Sequence, residues 1–262
     1  MVVDYDLVVL GGTLEAREAA WLAARTGARV ALVASPTDWA NGLKPTLVAE
    51  VIRAALLQST DRLPCQLPTG PDWTYLRQRL ALAETIAYPQ LSRQALQEQG
   101  IDVVIAIAQF SPRPRLAVTT DDRRLTARAY LIACGGHPRI PAIPGLESGP
   151  WLTPATLLDA ETQPQQVIVL GRGGDAVATA QLLAARGSQV ALVTRGDRLL
   201  PDQDRELAQF ATALLKASRV EIHLATPIEG IQSLPAVSLT TPNTTLKADQ
   251  LILATGLVPN LA

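Results

Sequence analysis

Two stretches of the chain share one pattern of apolar and polar positions. Residues 165–200 start with an apolar β-branched run, pass through glycines into apolar positions at helical spacing, and return to a second apolar run. A continuous apolar run of this length predicts a strand buried on both faces of a parallel sheet. Gly187 predicts the end of the helix. We therefore predict a strand, a glycine turn, a helix and a second strand.

The glycine turn in this stretch has the spacing of a dinucleotide-binding fingerprint. Gly171, Gly173 and Ala176 fill its three small positions, and Gly174 follows the second of them. Such a turn lets the backbone approach a diphosphate, and the start of the helix offers N–H groups to it. The motif also lies between a strand and a helix, which is the context that it requires. The sequence thus predicts a dinucleotide site at this turn.

The same pattern occurs at the beginning of the chain. Residues 6–33 read as strand, glycine turn, helix ending in LAAR, glycine and a final VALV, and residues 126–135 parallel residues 246–256. A repeat of this size predicts two similar domains. The fold class that we predict is α/β, with two tandem Rossmann-like domains built on parallel sheets with small antiparallel additions. A Pro-, Gly- and Thr-rich segment divides them into residues 1–148 and 149–262.

A helical insert separates the opening repeat from its last strand. Residues 46–58 and 73–99 have apolar positions at helical spacing, and Pro89 predicts a break in the second of these helices. Residues 101–110 and 116–120 have the pattern of strands.

Composition limits the classes of function. Of the 262 residues 48% are hydrophobic, and the formal net charge of −1 argues against binding to nucleic acid or to an anionic membrane. No apolar run approaches the length of a membrane span, and no basic region precedes the first apolar residues. Cys65 and Cys134 form neither a metal pattern nor a C-x-x-C pair. We expect a cytoplasmic protein with reduced thiols, no metal and no membrane span.

These motifs resemble those of the pyridine nucleotide-disulfide oxidoreductases, flavoproteins that include mercuric reductase, glutathione reductase and lipoamide dehydrogenase. The matching segments are the opening DLVVLGG, the later YLIACGGHPRIPAIPGL, the central stretch and the closing LILATGLVPN. The resemblance implies FAD in the first domain and NADH or NADPH in the second, where the nucleotide reduces the flavin. It also implies an incomplete first domain, because family members continue past the L-x-P-N segment.

Positions in these motifs identify candidate cofactor-binding residues in both domains. They are Gly11, Gly12, Thr13, Cys134 and Gly135 in the first domain, and Gly171, Gly173, Gly174, Arg195 and Gly256 in the second. The first set departs from the family. Thr13 stands at the second glycine position, where a Cβ crowds a diphosphate, and Ala34 replaces the glutamate that bonds the adenosine ribose. FAD is therefore possible but disfavoured.

The redox pair of the family is also missing from its expected place. Residues 38–52 contain no cysteine, and Ala178 stands where the family has the glutamate that pairs with its lysine. Disulfide reduction is therefore not expected, and we assign no catalytic residue.

The choice of nicotinamide nucleotide depends on the end of the second strand of the central stretch. NAD sites favour an acidic residue there, whereas this chain has Thr194 and Arg195, with Arg198 close behind. A cation in place of the acid favours NADP over NAD.

Three functions of different class remain open. The first is an NAD(P)H- and FAD-type oxidoreductase that passes hydride without a cysteine pair, and this is the function that we expect. The alternative is an inactive nucleotide-binding or protein-interaction module derived from the family. In the third, a separate chain supplies a missing half. The electron acceptor and any partner protein remain unknown.

Overall fold

The structure is a computed structural model, which describes residues 3–59, 72–147, 149–232 and 236–261. Cys65 lies outside these ranges. The chain forms two compact units that alternate along the sequence. The first unit comprises residues 1–46, 82–137 and 259–262, and the second comprises residues 47–81 and 138–258.

This division differs from the two consecutive domains expected from the sequence, because part of the helical insert belongs to the second unit. The indole Nε1 of Trp73 donates a hydrogen bond to the carbonyl oxygen of Ala160 at 3.0 Å. Arg77 donates to the carbonyl oxygen of Glu161 at 3.2 Å. These bonds tie the helix of the insert to the segment that precedes the central repeat. The division into domains 1–148 and 149–262 stays a prediction.

The first repeat and its insert contain alternating helices and short strands. In chain order they are β1 (Tyr5–Leu10), α1 (Leu14–Arg25), β2 (Val30–Ala34), α2 (Pro36–Asn41), α3 (Lys44–Ser59), α4 (Trp73–Ile86), a 3₁₀ turn (Pro89–Leu91), α5 (Arg93–Glu98), β3 (Asp102–Ile105), β4 (Gln109–Ser111), β5 (Ala117–Thr119), β6 (Arg124–Leu125), β7 (Ala127–Ile132) and β8 (Gly136–Pro138). The break predicted at Pro89 is present. The strand predicted over residues 101–110 is two strands, because β3 and β4 belong to different sheets.

The main sheet of the first unit is parallel, with the strand order β3-β2-β1-β7. Strand β2 is buried throughout, as its uninterrupted apolar run predicts. Helix α1 packs Leu14, Ala16 and Ala20 against this sheet, where they join Val9 in one apolar cluster. Strands β4, β5 and β6 form a small antiparallel sheet.

The second unit repeats this architecture. The elements that follow β8 along the chain are a 3₁₀ helix (Pro154–Asp159), β9 (Gln166–Gly171), α6 (Gly174–Ala185), β10 (Gln189–Val193), α7 (Arg205–Ala217), β11 (Glu221–His223), β12 (Gly230–Gln232), β13 (Val237–Thr240), β14 (Thr245–Ala248), β15 (Gln250–Ala254) and β16 (Leu257–Pro259). The parallel sheet has the order β11-β10-β9-β15, and β12, β13 and β14 form an antiparallel sheet. The predicted α/β class with a repeated parallel sheet and antiparallel additions is confirmed.

Candidate functional site

The glycines of the first turn bring the chain's own backbone together. Gly11 has a φ of +128°, and a Cβ built on it would overlap the carbonyl oxygen of Ala133 beyond β7. A Cβ on Gly12 would lie 2.7 Å from the backbone nitrogen of Trp39 in α2. Both positions require glycine because backbone passes so close to them.

Thr13 closes the start of helix α1. Its Oγ1 accepts a hydrogen bond from the backbone N–H of Ala16 at 3.2 Å and donates one to the carbonyl oxygen of Ala133 at 3.1 Å. Its methyl group lies 2.9 Å from the position of a Cβ built on Gly135, which has a φ of +65°. A side-chain cap of this kind uses an N–H group that a phosphate would otherwise bind. A diphosphate at this turn would have to displace Thr13.

A buried arginine that the sequence analysis missed lies behind this turn. Arg17 is only 5% exposed, and its Nε donates a hydrogen bond to the carbonyl oxygen of Gly12 at 3.0 Å. Its guanidinium lies 3.9 Å from the ring centre of Trp39 and donates to the carbonyl oxygen of that residue. Burial lowers the pKa of Arg17 to about 10, so that the group stays charged at neutral pH. The sequence signal that could have identified Arg17 is a cation among the apolar positions of α1.

Cys134 lies at the end of β7 and is partly buried. Its thiol donates a hydrogen bond to the carbonyl oxygen of Leu10 at 3.5 Å. Burial, together with the nearby Asp38 carboxylate, raises the pKa of this thiol. Because the thiolate is the reactive form, the structure gives Cys134 the properties of a packing residue.

The second turn has the same backbone plan and an open helix start. Gly171 has a φ of +154°, and a Cβ on it would be 2.8 Å from the carbonyl carbon of Ala254, as at the first turn. Gly173 is the N-cap of α6, with no side-chain hydrogen bond to the helix. Nothing lies within 4 Å of a Cβ built on Gly173 or Gly174. Gly256, beyond β15, has a φ of +92° and is equally open. The start of this helix is thus uncapped, and the space beside its glycines is open.

The loop after β10 carries the predicted cation. Thr194 is buried, and its Oγ1 accepts a hydrogen bond from the backbone N–H of Gly196 at 3.1 Å. Arg195 is exposed. Arg198 instead donates to the carbonyl oxygen of Pro201 within its own loop. Arg172, which the sequence analysis did not single out, also extends to this loop, where it contacts Gly196.

The part of the chain that the structure describes contains neither a membrane-spanning helix nor a cluster of metal ligands. None of the helices there combines the length and the apolar composition that crossing a membrane requires. Likewise, no group of three or more His, Cys, Asp or Glu side chains in those ranges is arranged to hold a metal ion.

Comparison with known proteins gives matches that span both repeats of the chain. The family model for pyridine nucleotide-disulphide oxidoreductases matches residues 5–262. A mercuric reductase from Staphylococcus aureus is 25% identical over an alignment of 269 positions, which covers 98% of this chain and 49% of the relative. A glutathione reductase from Nostoc sp. is 26% identical over an alignment of 275 positions, which covers 100% of this chain and 58% of the relative. The chain therefore spans about half the length of the curated relatives that it matches.

Solved structures show the same fold at lower identity. The flavoprotein disulfide reductase RclA from Escherichia coli superposes with a TM-score of 0.81 at 22% identity, over 98% of this chain and 57% of RclA. LpdA from Mycobacterium tuberculosis gives a TM-score of 0.80 at 20% identity, over 98% of this chain and 59% of that one. The match of the family model over nearly the whole chain establishes that this protein belongs to the pyridine nucleotide-disulphide oxidoreductase family.

Proposed function

We propose that the second unit binds a nicotinamide nucleotide at the turn between β9 and α6. The observation that carries this proposal is the open helix start at Gly173, which no side chain caps. A dinucleotide places its diphosphate at such a helix start, where backbone N–H groups and the helix dipole favour negative charge. Gly171, Gly173 and Gly174 would hold the diphosphate, and Gly256 leaves room at the neighbouring strand end. The negative charge of Asp175, near the N-terminus of α6, weakens this attraction.

The nucleotide that we propose is NADP(H), with NAD(H) as the weaker ligand. The exposed Arg195 follows β10 directly, at the strand end where a dinucleotide fold reads the adenosine ribose. A guanidinium there complements a 2′-phosphate, whereas NAD sites favour a carboxylate. Arg198 contributes less because its guanidinium already donates to Pro201.

The residues of the first turn do not fit FAD. The hydroxyl of Thr13 accepts a hydrogen bond from the N–H of Ala16, and its methyl group fills the space beside Gly135. The side chain of Thr13 therefore occupies the position that a diphosphate needs. The end of β2 offers the buried Ala34 in place of an acidic residue. We therefore propose that Gly11, Gly12, Gly135 and Cys134 serve packing in this unit, and we derive no chemical step through a flavin.

Disulfide reduction does not enter the proposal, because residues 38–52 contain no cysteine and burial raises the pKa of the Cys134 thiol, which disfavours the reactive thiolate. The function that the geometry supports best is thus NADP(H) binding by a member of this oxidoreductase family that lacks the cysteine pair. The second candidate is a complete oxidoreductase in which bound NADPH reduces a flavin. The match of the family model to both turns favours that candidate. A cytoplasmic location and the identity of an electron acceptor stay predictions.

A visible absorption spectrum tests the two candidates. The purified protein is mixed with excess FAD, passed through a desalting column, and then treated with NADPH without oxygen. We expect no flavin absorbance to remain with the protein, because Thr13 closes the first turn. Flavin that stays bound and bleaches with NADPH would overturn the binding-only account and establish hydride transfer.

A further inference from the structure

Arg172 lies between Gly171 and Gly173 in the second turn, yet its side chain points away from the start of α6. It extends across the loop after β10, where a Cβ built on Gly196 would lie 2.5 Å from its Nη1 and 2.8 Å from its Cδ. Glycine at position 196 is therefore what allows the guanidinium to lie against this loop. The backbone of the same residue holds the loop as well, because the N–H of Leu200 donates to the carbonyl oxygen of Arg172 at 2.7 Å.

Two arginines thus contribute to one loop, which also contains the exposed Asp197. Within the described ranges, neither Arg172 nor Arg195 has an ion pair with a carboxylate or a side-chain hydrogen bond. Both side chains are exposed. Guanidinium groups match phosphate oxygens with paired hydrogen bonds, so that two of them at one loop provide a suitable position for a phosphate group.

We propose that Arg172 is a specificity-determining residue that, together with Arg195, binds the 2′-phosphate of NADP(H). This inference rests on the proposed function, because it assigns a further residue to the same nucleotide. The backbone around Arg172 faces the diphosphate, while its side chain reaches the loop at the end of β10, where the adenosine ribose is read. NADH lacks the 2′-phosphate and has only a neutral hydroxyl at that position, so that Arg172 distinguishes the two nucleotides.

The test measures the dissociation constants of NADPH and NADH by isothermal titration calorimetry at one fixed ionic strength. Arg172→Ala should weaken NADPH binding by about tenfold, the effect of losing a hydrogen bond to a charged group, and should leave NADH binding within about twofold. Gly196→Ala keeps the charge but displaces the side chain, and should shift the preference in the same direction. Arg205→Ala removes another exposed arginine of the same unit and should change neither constant.

The remaining outcomes separate this inference from the proposed function. If Arg172→Ala weakens NADPH and NADH equally, the side chain supports the diphosphate and does not choose between nucleotides. If the variant binds both as well as or better than the wild type, Arg172 lies outside the site or blocks it. Both results would overturn the inference and leave the proposed function intact. A wild-type protein that binds neither nucleotide would overturn both.

Discussion

At the scale of single residues, a glycine at a fingerprint position can serve either the close packing of backbone or the binding of a diphosphate. The sequence identified Gly11 and Gly171 as turn glycines, and the structure places each against the backbone beyond a neighbouring strand. This contact with backbone was not predicted, since both glycines were assigned to cofactor binding. Arg17 and Arg172 were not predicted either, because each packs on a segment distant in sequence, at Trp39 in α2 or at Gly196.

Gly11→Ala tests this packing role. Gly11 and Gly27 both have positive φ values, +128° and +84°, but only a Cβ on Gly11 would meet backbone, since nothing lies within 4 Å of one on Gly27. We expect Gly27→Ala to lower the free energy of unfolding by about 1 to 2 kcal/mol from backbone strain alone. Gly11→Ala should cost about 3 kcal/mol or more, because backbone must also shift. Urea denaturation measures both values, and equal losses would show that β7 does not pack against this turn.

At the scale of secondary-structure elements, patterns that are local to one element were predicted well. The strand and helix of each repeat follow from apolar periodicity and glycine positions, and the break before Pro89 follows from the missing N–H of proline. The segment 101–110 was predicted as one strand, because an apolar run does not show where a chain leaves its sheet. The structure divides that segment between β3 and β4.

The last strands of the two parallel sheets differ in how their outer edges are covered. Leu152 pairs with the edge of β15, accepting a hydrogen bond from the N–H of Leu253 at 2.8 Å. The equivalent residue of β7 is Ile132, since Ile132 pairs with Leu10 as Leu253 pairs with Leu170. Ile132 is 52% exposed, whereas Leu253 is 2% exposed. In the described part of the chain, no strand pairs with the outer edge of β7.

Hydrogen exchange tests this difference between equivalent strands. The amide of Ile132 should exchange at least about tenfold faster than the amide of Leu253, because only the latter is bonded on the outer edge of its sheet. Residue-resolved exchange in the isolated chain measures both rates. Equal protection would contradict the account, since it would mean that β7 is covered in solution.

At the scale of the whole molecule, the internal repeat predicted two similar parallel sheets, and it allows the two turns to be compared position by position. The same backbone plan ends in a capped helix at Thr13 and in an uncapped one at Gly173. Sequence showed the substitution at the first turn. Only the structure showed that Thr13 bonds Ala16 and Ala133 and that Gly173 faces open space. The alternation of the two units along the chain was not predictable, because it depends on contacts of the helical insert.

We propose that the nucleotide binds at the second turn and not at the first, and one pair of matched variants tests this directly. Aspartate can be placed at equivalent positions of the two turns, as Thr13→Asp and Gly173→Asp, and it is a good helix N-cap at both. Calorimetric titration with NADPH should show saturable binding to the wild type and to Thr13→Asp, and none to Gly173→Asp, where a carboxylate meets the diphosphate. Unchanged NADPH affinity in Gly173→Asp, or its loss in Thr13→Asp alone, would contradict the account.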